Sequence, residues 1–193
     1  MNLDRIIDKL RRCLLLIPPE HFDELTSETG YLPAFLHLLF CIAISIPVSA
    51  LFLLLTPLLS PVPDRSILFY LPGAFLLAFF GAITTAISLL AFSLLSFALL
   101  KIMGGKAKFI QTIQVFIYGM TAFQIFFYVP YAGILSLLLG LINAIRGASR
   151  VHKIPLWMSF IALVVIPVFL FIAIILALLL LMILAGYGPI GRW

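Results

Sequence analysis

The sequence predicts an all-α fold: a polytopic integral membrane protein with five transmembrane helices and an amphipathic, interfacial helix at its N-terminus. Two observations carry this. The 193 residues are 64% hydrophobic and only 10% charged, whereas a soluble domain has about 25% charged residues and is roughly half apolar. The stretch from Lys101 to Lys153 then alternates basic loop, apolar run, uncharged turn, apolar run and basic loop, with nothing charged between Lys108 and Arg146. That is a hairpin of two membrane-crossing helices with both feet on one side. A net charge of +5 does not point to nucleic acid, because the basic residues sit in short loops beside apolar runs.

The expected organisation is a cytosolic N-terminal segment over residues 1–30 and a five-span membrane domain over residues 31–193. In the first segment Leu3, Ile6, Ile7, Leu10, Cys13, Leu14 and Ile17 follow helical spacing, while Asp4, Arg5, Asp8, Lys9, Arg11 and Arg12 fill the other face. Beside a membrane domain, such a helix lies in the interface with its apolar stripe in lipid. Pro18-Pro19 ends it, and a short acidic helix follows. Glu20, His21, Asp23 and Glu24 in that helix match no known metal-ligand spacing and read as a solvated acidic face. Cys13 and Cys41 read as free thiols at different depths. The first residues mix Asp and Arg, so no cleavable signal peptide is expected.

The spans are expected at about 33–58, 67–100, 109–128, 131–146 and 155–185. Pro47 should kink the first, and His37 at its entry reads as interfacial. The link SPVPDR leads to a second span of about 50 Å at the helical rise, against a hydrocarbon core of about 30 Å. This span therefore either tilts or breaks at Pro72-Gly73. Ala74, Ala78, Ala82 and Ala86, with Gly81 and Thr85 alongside, make a small-residue strip for close helix packing, inside the bundle or between subunits of a homo-oligomer. On the third span Gln111, Gln114, Tyr118, Thr121, Gln124 and Tyr128 share one helical face. On the fourth, Ser136, Gly140, Asn143 and Gly147 form a matching stripe, and the simplest expectation is that the two stripes hydrogen-bond each other. The fifth span opens with Pro155 and Trp157, should bend at Pro167, and leads into the anchor-like tail GYGPIGRW.

Ten of the twelve basic residues fall on one side if the N-terminus is cytoplasmic and the C-terminus opposite. The positive-inside bias sets that orientation. Lys106, Lys108, Arg146, Arg150, His152 and Lys153 then face the cytosol, as contacts for anionic lipid headgroups or for a protein partner that the sequence does not name. All seven acids precede or lie at Asp64, so the acidic helix at Glu20, Asp23 and Glu24 is expected to dock over the Lys106/Lys108 or Arg150/Lys153 loop.

Several pieces resemble the Yip1 domain family: LLLIPPEHFDEL, the diglycine stretch GGKAKFIQTIQVFIYG, the turn YVPYAGIL, and IRGASRVHKIP after the short fourth span. The resemblance implies five spans with a cytosolic N-terminus. It also implies a place in membrane organisation, since eukaryotic relatives act in secretory trafficking with Rab-type GTPases. With about thirty residues before the first span, GTPase binding is not carried over. The chain looks like the compact prokaryotic members, which implies the prokaryotic cell (inner) membrane. The expected function is a membrane-organising or trafficking-related adaptor. The alternative is a small transporter or channel using the polar face of the third span. No acid, Cys or His lies in the third, fourth or fifth predicted span, so no embedded nucleophile–base pair is expected there, and neither enzyme activity nor a cofactor.

Overall fold

A computed structural model describes residues 3–27, 30–58 and 67–184. Among these every regular element is a helix. Two short helices, α1 (Leu3–Cys13) and α2 (Pro19–Ser27), precede the long α3 (Leu32–Leu58) and α4 (Ile67–Ile102). Next come α5 (Phe109–Gly119), α6 (Thr121–Phe126) and α7 (Ala132–His152). The last run is α8 (Leu156–Phe160), a π-helical turn at Ile161–Val165 and α9 (Ile166–Leu184). Four stretches are long and apolar enough to cross a membrane: Leu32–Leu55, Leu71–Ile102, Ala132–His152 and Leu156–Ile183. The link with Asp64 and Arg65 and the tail with Arg192 lie outside the described residues.

The long apolar helices form because they carry few charged residues (Lys101 in α4, Arg146 and Arg150 in α7) and a helix satisfies every backbone polar group internally. α4 runs through Pro72 without breaking, and α3 through Pro47. In the last span the irregularity precedes Pro167 by one turn. Proline cannot donate to the carbonyl four residues back, and its ring crowds that oxygen. The wider turn at Ile161–Val165 relieves both. Beyond it the side chains from Val168 to Ile183 are exposed all round, as for a helix surrounded by hydrocarbon.

The third expected span is not one helix. It breaks after Gly119 at Met120, whose φ of −93° and ψ of 12° are not helical. The fourth is longer than expected, because α7 runs past Arg146 to His152. α5 and α6 cross α7 at close range. A Cβ on Gly119 would lie 3.2 Å from the Ala144 nitrogen, and one on Gly140 would reach 3.4 Å from the Met120 Cα. Small residues at this crossing let the backbones meet.

At the end of the bundle that carries the basic loops, His152 locks the loops together. Its ring is fully buried and its Nε2 lies 2.8 Å from the Thr112 hydroxyl. Its carbonyl accepts from the Lys106 N–H at 3.1 Å. Gly104 has a φ of +87°, and a Cβ on Gly105 would strike the His152 ring and come 2.7 Å from the Leu100 carbonyl. The diglycine is therefore required twice, once for conformation and once for space. Gly105→Ala should destabilise the fold by about 1–3 kcal/mol, the range for overpacking a buried site. Ser substituted at exposed Lys106 should leave stability nearly unchanged. Thermal unfolding of the detergent-solubilised variants measures both.

Candidate functional site

The break in the third span explains much of the polar stripe. Ending α5 at Gly119 strips carbonyls of their helical donors, and such groups are costly in a bilayer. Side chains from the next turn replace those donors. The Thr121 hydroxyl donates to the Tyr118 carbonyl at 2.8 Å, with the Ile117 carbonyl at 3.2 Å. The Gln124 amide donates to the Ile117 carbonyl at 3.2 Å.

Thr121 is also where the N-terminal half converges. His37 Nε2 lies 3.0 Å from its hydroxyl oxygen. Because that hydroxyl already donates to Tyr118, the imidazole must be the donor here. The His37 ring stands edge-on to Tyr118 with centroids 4.9 Å apart. His37 is thus buried, at 2% exposure, rather than interfacial: a turn of α3 passes against the break, which needs a donor there. The thiols of Cys13 and Cys41 both reach the same hydroxyl. They therefore lie at one level and not at different depths, because the chain brings α1 back over α6. Both are free. The Lys9 ammonium lies 5.7 Å from the centre of the Tyr118 ring, within reach of a cation–π attraction.

The remaining stripe residues go elsewhere. Gln111 caps α5, its Oε1 accepting from the Lys108 N–H at 2.9 Å. Gln114 is fully buried, with its amide 3.5 Å from the Gly30 carbonyl. The Tyr128 ring covers Gly81 of α4, at one end of an apolar groove of about 690 Å³ between α4 and α6–α7. Ser136 donates to the Gly133 carbonyl of its own helix at 2.9 Å. Thr121 and Gln124 thus bond the backbone of their own broken span and Ser136 that of its own helix, rather than each other.

Asn143 has a different partner altogether. Its Oδ1 accepts from the Ile17 N–H at 3.0 Å and its Nδ2 donates to the Leu15 carbonyl at 2.9 Å. These partners fix the orientation of the amide. The link between α1 and α2 thus lies across the middle of α7. Ile17 and Cys13 are wholly buried, so the far end of the amphipathic stripe faces protein, not lipid. Phe22 of α2 covers Gly147 and Val115, where a Cβ on Gly147 would come within 2.7 Å of its ring. Asp23 then takes Arg150 through one carboxylate oxygen, at 2.7 Å and 3.0 Å. The acidic helix therefore docks on the second basic loop. Glu24 lies 3.9 Å from Arg12, which also pairs with Asp8 at 2.8 Å. Both partners of the Asp23–Arg150 pair are half exposed, at 53% and 52%, so water screens it. The burial of Ile17 and Phe22 stabilises the docked segment more, by about 1.5–3 kcal/mol for each side chain. The pair orients α2; apolar burial and Asn143 hold it.

Ala74, Ala78, Ala82 and Ala86 are buried within the chain, on a helix whose principal neighbour is α3. Thr85 bonds back to the Gly81 carbonyl at 2.8 Å. Lys106, Lys108 and Lys153 are exposed. Among the described residues no three His, Cys, Asp or Glu side chains are placed to share a metal ion.

The family model of the Yip1 domain matches residues 12–185. The chain belongs to the Yip1 domain family. Neither a curated protein nor a solved structure matches it significantly. The matched region begins at Arg12, so it takes in the docked link and α2 as well as the spans. In this member of the Yip1 family, sequence reasoning found Asn143, His152 and the diglycine but not their partners. The signal for Asn143 was its position, the one amide on an otherwise small-residue face.

Two outcomes follow. Asn143→Leu should leave the buried Ile17 N–H unpaired and cost about 1–3 kcal/mol, while Asp23→Ala costs less; thermal unfolding of the two variants ranks them. The Cys13 thiol is pushed up from 9.0 to about 12, chiefly by burial, with Thr121, Lys9 and Arg12 opposing. The raised value favours the protonated thiol in the fold, an advantage held below pH 9 and lost as pH climbs toward 12. In Cys41→Ala protein, maleimide labelling at pH 8 should therefore be about a thousandfold slower than for a free thiol. Adding Asn143→Leu should speed it.

Proposed function

We propose that this protein is a membrane-organising adaptor, its spans forming a closed bundle and its working surface being the face made by α1, α2 and the two basic loops. The observation that carries this reading is the fate of the polar stripe. Thr121 and Gln124 repair the helix break, Ser136 bonds its own helix, and Asn143 holds the N-terminal link. A substrate pathway would need such groups turned to water, and here, the Gln124 amide oxygen aside, they are spent inside the chain. The small-residue strip of α4 is likewise used within the chain, so self-association would have to use other surfaces.

The N-terminal segment is packed at the same end of the bundle as both basic loops, through Asp23 on Arg150 and Lys106 on His152. The positive-inside rule then sets that end in the cytoplasm, in keeping with a prokaryotic inner-membrane location. The transporter alternative has one observation in its favour: broken helices often surround transport sites, and Met120 breaks the third span.

Reconstitution separates the two. Wild-type protein in liposomes should add no ion or small-solute flux to the lipid background. Protein-dependent flux that disappears in a Gln114→Leu/Gln124→Leu variant of unchanged helicity would establish transport instead. Orientation is read by an impermeant maleimide on Lys106→Cys protein lacking Cys13 and Cys41. Intact cells should not label, and opened membranes should.

A further inference from the structure

A second groove, of about 590 Å³, runs between α7 and α8 and is lined by Ile142, Ile145, Arg146, Leu156, Trp157 and Phe160. Five of these side chains are apolar and the sixth is a cation. Arg146 lies six residues before the end of α7, about 9 Å inside it along the helix axis. It is half-buried. Asp23 pairs with Arg150, near which Glu20 also lies, and Asp8 and Glu24 pair with Arg12. Among the described residues Arg146 has no acidic partner. A guanidinium this far inside a spanning helix is costly unless it meets a counter-charge or snorkels to the interface.

We propose that this groove is a binding site for an anionic phospholipid. Its phosphate bonds the Arg146 guanidinium, whose planar fork suits phosphate oxygens. One acyl chain lies over Ile142, Ile145 and Phe160. Trp157, exposed at 58% and two residues into the helix from Pro155, sits at the glycerol level where indoles prefer to lie. The groove prefers an anionic headgroup over choline because Arg146 and, at the same end of α7, the exposed Lys153 repel a second cation. A second copy of this chain fits less well. All seven acids precede or lie at Asp64, and none is in the spanning segments, so another copy's spanning helix would cover Arg146 without neutralising it.

The chain has two tryptophans, so a Trp193→Phe protein reports from Trp157 alone. It is reconstituted with phospholipids brominated on the acyl chain, either phosphatidylglycerol or phosphatidylcholine, and quenching of Trp157 gives their relative occupancy. Phosphatidylglycerol should be preferred by about fivefold, the selectivity one cation near an anionic headgroup supplies. Arg146→Gln should reduce the preference to none, and Arg146→Lys should retain most of it. Lys106→Gln/Lys108→Gln should keep it, since those loops do not line the groove. Equal quenching by the two lipids in otherwise wild-type protein would overturn the proposal without any variant having to fold. So would a preference that survives Arg146→Gln or disappears with the Lys106/Lys108 pair.

Discussion

The close crossing of the third and fourth spans sets most of what surrounds it. Gly119, Gly140 and Ala144 let two backbones approach, and at that point the third span gives up its helical path. Carbonyls freed in hydrocarbon must be bonded again, so Thr121 and Gln124 are drawn to their own backbone. Once Thr121 is fixed there, its oxygen accepts from His37, and the first span and the N-terminal segment settle around it. The polar stripe is thus a repair of one break before it is anything else.

A second consequence is that the N-terminal segment belongs to the same core as the spans. Asn143 sits beside the crossing and binds the α1–α2 link through both ends of its amide. Cys13, Ile17 and Phe22 fill the space this leaves. The ion pair at Arg150 sits at the exposed edge of that contact. The ordering of strengths follows from solvent: buried partners lack water as a competitor, and exposed ones do not.

The all-α membrane fold and its long spans were legible because each is a long apolar run, a signal local to the sequence. The break at Met120 was not. Tyr118, Thr121 and Gln124 have the same spacing whether the helix is continuous or interrupted, and a glycine such as Gly119 is common in membrane helices. Nor could the partner of Asn143 be read. It is a pair of backbone groups 126 and 128 residues away, and backbone groups carry no sequence signature. His37 looked interfacial because a lone histidine near a helix start says nothing of what will pack on it. The docking of Asp23 on Arg150 was legible because charge sorts visibly along this chain: acids early, basic loops later.

The separation between Ile17 and Asn143 also bears on how the protein is made. The link emerges from the ribosome before any of the helices it rests on, and its binding surface is complete only after the fourth span has been synthesised. Until then the apolar side chains of Cys13, Ile17 and Phe22 lack the protein surface that buries them in the fold. The third span, with Gln114, Thr121 and Gln124 along it, is a poor candidate for partitioning alone and is best inserted together with the fourth as a hairpin. Assembly therefore closes from the middle of the sequence outward. The segment translated ahead of the spans is among the last to find its place.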